Sequence, residues 1–313
     1  MAELEMRDVY ASTLLGLAEK DSRIVLLDAD LGRSSGTASF RERFPDRAVN
    51  VGVAEANMVG VAAGLSVTGK IPFAETFGCF AARRTYDQFF ISANYAGLAV
   101  KLVGTDPGVT ATLNGGTHMT FEDIGLMREI PGLTIVEPAD PVSLRKLLPS
   151  LAYLKGCVYL RLHRRNAPLL YEADEEFEIG KGKHLRQGKD IALIASGVVM
   201  VNEALQAARL LEQSGIQASV IDMHTIKPID AGLIVHVAQR TDAVLTCENH
   251  QTAGGLGSAV TEVLAEAQPT RLRRIGVRDC FGEVGDLDYL KNRYGLTAEH
   301  IRSEALSLLE KAR

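Results

Sequence analysis

Short apolar runs alternate with longer amphipathic runs through most of the chain. The short runs, rich in aliphatic residues, lie at 24–30, 49–55, 98–104, 133–138 and 157–163. The longer runs, which repeat apolar residues at helical spacing, lie at 55–69 and 143–154. Apolar strands that alternate with helices predict an α/β fold, in which a mostly parallel sheet is covered by helices on both faces.

This alternation breaks over residues 166–189. The stretch contains Pro168 and the acidic run 172–178, and the alternation resumes with an apolar run at 190–197. Such a shift in composition is typical of a boundary between domains. We therefore predict two α/β domains, each with a mostly parallel sheet flanked by helices, at residues 1–168 and 190–313, with a linker at 169–189.

Composition and charge exclude several classes of protein. Hydrophobic residues make up 46% of the 313 residues and charged residues 23%, a balance typical of globular proteins. The net charge of −5 leaves no basic excess to neutralise nucleic-acid phosphates. No apolar run approaches membrane-spanning length, and the four cysteines are widely spaced. These features predict a cytoplasmic protein with reduced thiols that binds no metal of its own, no nucleic acid and no membrane.

Polar or aromatic groups follow the apolar runs of the first domain. Ligands of open parallel sheets bind beyond the carboxyl ends of the strands. The groups expected at that edge are residues 32–36, Glu55, Phe77, the turn 105–118 and residues 163–165. Because they combine hydroxyls, rings and cations, they are suited to a small anionic ligand.

These strand ends belong to an ordered set of segments that spans nearly the whole chain. Its members are ADLGRSS at 29–35, NVGVAEANMVGVAAG at 50–64, PFAETFGCFAARRTYDQ at 72–88, the run 115–140, RLHRRNAP at 161–168 and IDMHTIKPID at 221–230. Through them the first domain resembles the pyrimidine-binding domain of transketolases, and the second resembles the transketolase C-terminal domain. The same domain pair occurs in deoxyxylulose-phosphate synthases and in 2-oxoacid dehydrogenase beta chains.

The resemblance implies that thiamine diphosphate is the cofactor and that Glu55 is the carboxylate that activates it. Phe77, Phe80 and Arg83 match positions that cradle the aminopyrimidine ring, where an aromatic face stacks on a flat heterocycle. Taken alone, Glu55 would be interpreted as an acid that complements a helix dipole, and the aromatic pair as part of the core; the ordered set of segments favours the functional roles. The polar residues that flank this acid in the family are both alanine here.

The same resemblance implies substrate-binding roles for Arg7, Asp30, Ser34, Asn114, His118 and Arg164. The two arginines and the serine are expected to bind the phosphate of a sugar phosphate, because guanidinium groups pair well with phosphate oxygens. His118 is also expected to be catalytic, since a histidine can donate to a developing oxyanion or pass a proton. Each of the three phosphate-binding candidates could instead be an ordinary solvated side chain, and His118 could be a hydrogen-bonded structural residue.

Two residues depart from the family in the region that binds the sugar. Asn114 stands where an aspartate usually reads a sugar hydroxyl, and Asp106 stands where a substrate-binding histidine is common. Both departures leave the identity of the sugar open.

One part of the family's machinery is missing from the sequence. Transketolases bind the diphosphate and its Mg²⁺ through a Gly-Asp-Gly segment in a separate N-terminal domain, and no Gly-Asp-Gly occurs here. The resemblance therefore implies a partner, an N-terminal transketolase subunit that carries the diphosphate-binding domain and most of the Mg²⁺ site, in an α₂β₂ assembly.

Together these features predict the beta-type subunit of a split transketolase. It would move a two-carbon ketol unit from a ketose phosphate to an aldose phosphate, as in the pentose phosphate pathway. The departures at Asn114 and Asp106 keep a deoxyxylulose-phosphate-synthase-like or special-sugar ketolase subunit open as an alternative. The alternative of another class is a non-catalytic, stabilising partner chain, and retention of Glu55 with Phe77 and Phe80 argues against it.

Overall fold

A computed structural model describes residues 3–310, so the outermost residues of the two predicted domains, 1–2 and 311–313, lie outside the described range. The strands are β1 Glu3–Glu5, β2 Ile24–Asp28, β3 Ala48–Asn50, β4 Ile71–Phe77, β5 Lys101–Thr105, β6 Thr134–Val136, β7 Val158–Leu162, β8 Asn166–Pro168, β9 Lys183–Arg186, β10 Ile191–Ala195, β11 Ala218–Asp222, β12 Thr225–Lys227, β13 Ala243–Gln251 and β14 Leu272–Val277.

The helices alternate with these strands. They are α1 Met6–Lys20, α2 Ala38–Arg43, α3 Glu55–Val67, α4 Gly78–Arg83, α5 Tyr86–Gln88, α6 Asp123–Arg128, α7 Pro141–Tyr153, α8 Gly197–Glu212, α9 Ala231–Ala238, α10 Leu256–Ala267, α11 Leu287–Tyr294 and α12 Ala298–Glu310. Short 3₁₀ or π segments lie at Pro45–Arg47, Phe89–Tyr95 and Gly108–Asn114.

The larger sheet has the strand order β12-β6-β7-β5-β4-β2-β3. Its six strands from the first domain are parallel, and β12 from the second domain joins the edge in the antiparallel direction. Ile24 and Leu26 of β2 pack with α1 and α7, whereas Val25 and Leu27 pack with α3 on the opposite face. This alternation follows from the two-residue period of a strand.

The smaller sheet has the order β14-β13-β10-β11-β9. Four of its strands are parallel, and β9 pairs antiparallel with β11. Strands β10 and β11 are buried at every position, as expected where helices cover both faces of a sheet. The predicted α/β class with two mostly parallel, helix-flanked sheets is therefore confirmed.

The segment predicted as a linker contains part of this sheet, since β9 lies within 169–189. Just before it, β8 pairs antiparallel with β1. The pairing continues beyond β1, where the Met6 amide donates to the Arg165 carbonyl and the Arg7 amide donates to the Arg164 carbonyl, each at 3.1 Å. The start of α1 is therefore held against the residues that follow β7.

Two strands end earlier than the apolar pattern predicts. β2 ends at Asp28, whose carboxylate accepts two backbone N–H groups of the following turn. Asp30 then adopts a φ of 65°, and Gly52, two residues after the end of β3, adopts a φ of 75°. Residues in this left-handed region cannot continue a strand. The turns therefore begin at the sheet edge and lead into the candidate site.

A buried ion-pair network joins the two domains. Arg161 of β7 contacts Asp123 Oδ2 at 2.7 Å and Glu137 Oε1 at 2.5 Å, and its Nη2 donates to the Asn249 carbonyl of β13 at 2.8 Å. The Ser196 hydroxyl donates to Glu137 Oε2 at 2.8 Å. Burial raises the pKa of Asp123, but the Arg161 guanidinium outweighs burial and holds that pKa below its usual value.

Asn249 extends this connection to the turn after β5. Its side-chain oxygen accepts from the Val109 amide at 2.9 Å, and its amide donates to the Pro107 carbonyl at 3.0 Å. All of these groups are buried, so no water replaces them easily. The second domain therefore holds the turn that begins at Asp106. Among residues 3–310, no helix is both long and apolar enough to cross a membrane.

Replacing Arg161 by Met should destabilise the protein strongly. Arg161→Met keeps an unbranched side chain but leaves Asp123 and Glu137 buried without their cation, which costs about 3–5 kcal/mol. Urea denaturation followed by circular dichroism measures the loss. The matched control is Arg273→Met, whose ion pair with Glu304 is partly exposed and should contribute less than about 1 kcal/mol. Equal losses in the two variants would contradict the assigned role of the network.

Candidate active site

Glu55 is the first residue of α3 and is almost completely buried. Only 3% of its surface is exposed, and Oε1 accepts a hydrogen bond from Arg84 Nη1 at 2.9 Å. The residue lies after the turn at Gly52, where the chain leaves β3 and enters the helix. A carboxylate at this position is favoured by the partial positive charge of a helix N-terminus. Because Arg84 is bonded to Oε1, the second carboxylate oxygen of Glu55 is the polar group that this end of the sheet offers to a ligand.

Phe77, Phe80 and His118 form an aromatic cluster beyond the end of β4. The ring centroids of Phe77 and Phe80 are 6.1 Å apart, and the His118 ring lies 6.1 Å from Phe77 and 5.3 Å from Phe80. His118 Nδ1 is 2.9 Å from the Thr117 hydroxyl, which fixes one ring nitrogen and leaves the other for a ligand. The structure therefore brings together three residues that are 41 positions apart at most, counting from 77 to 118.

Arg84, rather than Arg83, connects Glu55 to this cluster. The Arg84 guanidinium carbon lies 3.9 Å from the centroid of the Phe80 ring while Nη1 bonds Glu55. Arg83 points elsewhere, because successive helical residues are about 100° apart. Its Nε pairs with Glu122 at 2.5 Å and its Nη2 donates to the Met119 carbonyl. Arg84 is not among the residues that the family resemblance implies, and the adjacent pair of arginines is the signal for it in the sequence.

The Arg84 guanidinium lies between the Glu55 carboxylate and the Phe80 ring, so a flat group with N–H donors fits this position. A guanidinium is flat, donates hydrogen bonds and stacks on aromatic rings, and here it contacts Phe80 and Glu55 at once. An aminopyrimidine ring is also flat, carries ring and exocyclic nitrogens and stacks on aromatic faces. Glu55, Phe77 and Phe80 provide one hydrogen-bonding carboxyl group and two aromatic rings, which fit the pyrimidine end of thiamine diphosphate.

The residues predicted to bind phosphate also lie together. The Arg7 amide bonds the Arg164 carbonyl at 3.1 Å, and Arg164 Nη1 donates to the Ser34 carbonyl at 3.1 Å. Gly36 allows the turn that contains Ser34 to lie close to Arg7, since its φ is 78° and a Cβ there would lie 3.3 Å from Arg7 Cγ. Arg164 also reaches the aromatic cluster, with its guanidinium carbon 5.3 Å from the Phe77 ring centroid. One cation therefore lies between the two parts of the site.

Asp106 occupies the centre of this arginine group. It is 2% exposed, adopts a φ of 52° and contacts Arg164 Nη2 through Oδ2 at 2.6 Å. Burial raises the pKa of Asp106, while Arg164, Arg165 and Arg7 all act to lower it. An acid therefore lies among the cations that the sequence assigned to an anionic ligand.

Asp30 and Asn114 do not join the other predicted residues through hydrogen bonds. Asp30 accepts from Asn50 Nδ2 at 3.1 Å across the turn, and its amide donates to the side chain of the same asparagine. Asn114 is exposed at the end of the Gly108–Asn114 segment. Within residues 3–310, neither side chain bonds another of the predicted site residues.

Comparisons with known proteins show the family of this chain. Residues 2–168 match the transketolase pyrimidine-binding domain, and residues 180–301 match the transketolase C-terminal domain. The chain belongs to the transketolase family. It is 52% identical over 306 residues to the 6-deoxy-6-sulfo-D-fructose transketolase subunit SqwH of Clostridium sp. (strain MSTE9), a match that covers 98% of this chain and 95% of that one.

Two further relatives come from split transketolases. One of them, a component of the apulose-4-phosphate transketolase of Phocaeicola vulgatus, is 37% identical, and the match covers 97% of each chain. The solved structure of a split-gene transketolase, an inactive beta4 tetramer, is 42% identical with a TM-score of 0.92 and covers 99% of this chain and 100% of its own. By family, this chain is therefore the beta-type chain of a split transketolase.

Transketolases generally depend on thiamine diphosphate, whose diphosphate is bound with a metal ion. In the part of this chain between residues 3 and 310, no three His, Cys, Asp or Glu side chains are grouped to bind a metal. The residues that fit the cofactor are those at its pyrimidine end.

Glu75, which the sequence analysis also missed, supports the turn that carries Ser34. It is completely buried in β4, and its Oε1 accepts from the Thr37 hydroxyl at 2.5 Å. The neighbouring Asp28 is paired with Arg41 and accepts the amides of the same turn. Burial raises the pKa of Glu75 to about 8, and the Asp28 carboxylate adds to the rise although the Thr37 hydrogen bond opposes it. Glu75 is therefore mostly protonated at neutral pH.

The stability of the protein should depend on pH through Glu75. The unfolded-state pKa is 4.5 and the folded-state pKa is about 8, so between these values the folded state keeps a proton that the unfolded state has lost. The contribution of Glu75 is therefore greatest below pH 4.5 and declines as the pH rises to 8. Glu75→Gln keeps a neutral side chain of the same shape and removes this decline.

Urea denaturation of wild type and Glu75→Gln at several pH values measures this difference. The stability of the variant relative to wild type should increase by roughly 1–4 kcal/mol between pH 5 and pH 8. Glu172→Gln, at an exposed position, is the matched control and should follow the wild type. A difference between Glu75→Gln and wild type that does not change with pH would contradict the assigned protonation of Glu75.

Proposed function

We propose that this chain is the catalytic beta-type subunit of a two-carbon ketol transferase that uses thiamine diphosphate. The observation that carries the proposal is the buried carboxylate of Glu55, which is joined through a flat guanidinium to Phe80 and so to Phe77 and His118. A stabilising chain without catalysis has no need of an acid in this environment, because burial of a carboxylate costs free energy.

Each residue then has a definite task. Bound thiamine diphosphate supplies the carbon nucleophile that accepts the two-carbon unit. Glu55 would hydrogen-bond a nitrogen of the aminopyrimidine, and Phe77 and Phe80 would pack against that ring. His118 would donate a hydrogen bond to the carbonyl oxygen of the sugar and give its proton to that oxygen as negative charge develops there. Arg164 binds the anionic end of the sugar.

A separate partner subunit supplies the diphosphate end of the site. The absence of Gly-Asp-Gly from the sequence and the two relatives from multi-subunit transketolases support this part of the proposal. The related β4 tetramer is inactive, which agrees with a need for the other chain. We assign the diphosphate and Mg²⁺ ligands to that N-terminal subunit, in an α₂β₂ assembly in the cytoplasm.

The sugar has two candidates. One is the ketose phosphate of the pentose phosphate pathway, to which the grouping of Arg7, Ser34 and Arg164 is suited. The other is a special sugar such as a 6-deoxy-6-sulfoketose, and it is favoured by the relative that shares 52% identity. The departures at Asn114 and Asp106 also favour the special sugar. Both candidates undergo the same ketol transfer.

Transfer should require Glu55. In the complex with the partner subunit, Glu55→Gln should lower kcat by about 100-fold or more, because general acid–base catalysis typically contributes that much. Initial rates of aldose release measure kcat, and cofactor affinity from fluorescence titration shows whether binding persists. The control is Glu129→Gln, at an exposed position just after α6. Full turnover by Glu55→Gln would contradict the proposed mechanism.

Turnover should also require the partner. The purified chain with thiamine diphosphate and Mg²⁺ alone should show no ketol transfer, and addition of a chain that carries Gly-Asp-Gly should restore it in proportion to complex formation. Size-exclusion chromatography with light scattering measures the complex, and coupled assays measure transfer. A fully active isolated chain would refute the split site, whereas a complex that forms but is inactive with both candidate donors would favour the stabilising-partner alternative.

A further inference from the structure

Carboxylates partly neutralise the cations at the predicted anion-binding end of the site. Arg164 contacts Asp106 at 2.6 Å, and Arg7 contacts Glu5 at 2.5 Å. A dianionic phosphate is best bound by unpaired guanidinium groups. The pairing of both arginines with acids therefore reduces the positive charge available to a ligand.

The backbone of Asp106 is held in place by a hydrogen bond and by an unusual conformation. Its backbone amide donates to the Leu162 carbonyl at 3.1 Å, and its φ of 52° is one that Asp, Asn and Gly adopt more readily than other residues. Apart from the ion-pair contact with Arg164, neither of its buried carboxylate oxygens is hydrogen-bonded in the described part of the chain. Arg164 Nε and His163 Nδ1 also have no partner within residues 3–310. Arg164 therefore contacts Asp106 through Nη2 and keeps a second buried nitrogen without a partner.

A cavity of 270 Å³ lies beside His163 and Arg165, the neighbours of Arg164 in the chain. Glu5, Thr110 and Leu287 also line it, so it offers imidazole, guanidinium and hydroxyl groups together with one carboxylate and one apolar side chain. Burial lowers the pKa of His163 to about 4, although a hydrogen bond to the Asn166 carbonyl opposes this effect. The imidazole is therefore neutral at physiological pH and adds no positive charge. Neither Asp106 nor Arg164 lines this cavity, so the Asp106–Arg164 ion pair itself carries the argument that follows.

The number of negative charges on an anionic end group bound at Arg164 determines how strongly Asp106 repels it. A sulfonate carries one negative charge, whereas a phosphate monoester carries about 1.5 to 2 at pH 7. Repulsion from a neighbouring carboxylate grows with each added charge and is strong where water is largely excluded. A site that keeps Asp106 among its arginines therefore disfavours the second charge of phosphate.

We infer that Asp106, paired with Arg164, is a specificity-determining residue that selects ketose donors with a monoanionic end group, such as a sulfonate, over donors with a dianionic phosphate. The inference rests on the proposed function, since it concerns the donor of the same ketol transfer. It assigns to one side chain the choice between the two candidate sugars.

The test compares two donors that differ in their end group. The complex with the partner subunit is assayed with 6-deoxy-6-sulfofructose and with fructose 6-phosphate, using one aldose acceptor. The wild type should have the higher kcat/KM for the sulfonate donor. Asp106→Asn should lower the ratio of sulfonate to phosphate kcat/KM by roughly tenfold or more, chiefly through a lower KM for phosphate. Asp106→Gly is the second variant, since both residues suit a φ of 52°.

The matched control is Asp174→Asn, at an exposed position in the segment after β8. It should leave the ratio unchanged. A second measurement needs no variant. The preference of the wild type for the sulfonate donor should weaken as the pH falls below about 6, where phosphate loses its second charge. Protonation of Asp106 acts in the same direction, and His163 remains neutral over this range.

The outcomes separate this inference from the proposed function. Transfer by wild type with an unchanged donor ratio in both Asp106 variants, or a wild-type preference for phosphate that persists at neutral pH, would overturn the role of Asp106 and leave the ketol transfer intact. Absence of transfer from either donor would overturn the proposed function, and the inference with it. A ratio that falls in the variants but not in the control supports the inference.

Discussion

The buried guanidinium of Arg161 is the group on which the rest of the structure depends. It pairs with Asp123 and Glu137 of the first domain and bonds the Asn249 carbonyl of the second. The side chain of Asn249 in turn holds the turn that begins after β5. Because that turn carries Asp106 and leads to His118, the position of two site residues depends on contact between the domains.

The pairing of β1 with β8 provides the second constraint. It brings the start of α1 to the end of β7, and so places Arg7 beside Arg164. The turn that contains Ser34 reaches the same place because Glu75 and Asp28 hold it from beneath. Three segments far apart in the chain thus form one arginine-rich end of the site, in which the cations are partly balanced by acids.

The part of the site that contains Glu55 and the aromatic rings differs in composition from the arginine-rich end. Glu55, Phe77, Phe80 and His118 present one carboxylate among rings, and Arg84 joins the carboxylate to a ring face. The two ends meet at Arg164, whose guanidinium approaches Phe77. A cofactor bound at the rings and a sugar bound at the arginines would therefore be neighbours. The residues at the rings therefore concern the type of reaction. The departures at Asp106 and Asn114 concern the identity of the sugar.

The apolar period of the sequence determined the α/β class, because that class depends on local spacing, which a sequence displays directly. The resemblance to transketolases, rather than spacing, implied that Glu55, Phe77, Phe80 and His118 belong to one site. Tertiary structure alone decided that β12 crosses to the other domain's sheet, that Arg84 rather than Arg83 reaches Glu55, and that Asp106 pairs with Arg164. Such pairings depend on the direction of single side chains and on contacts between distant segments, and packing of the whole chain determines both.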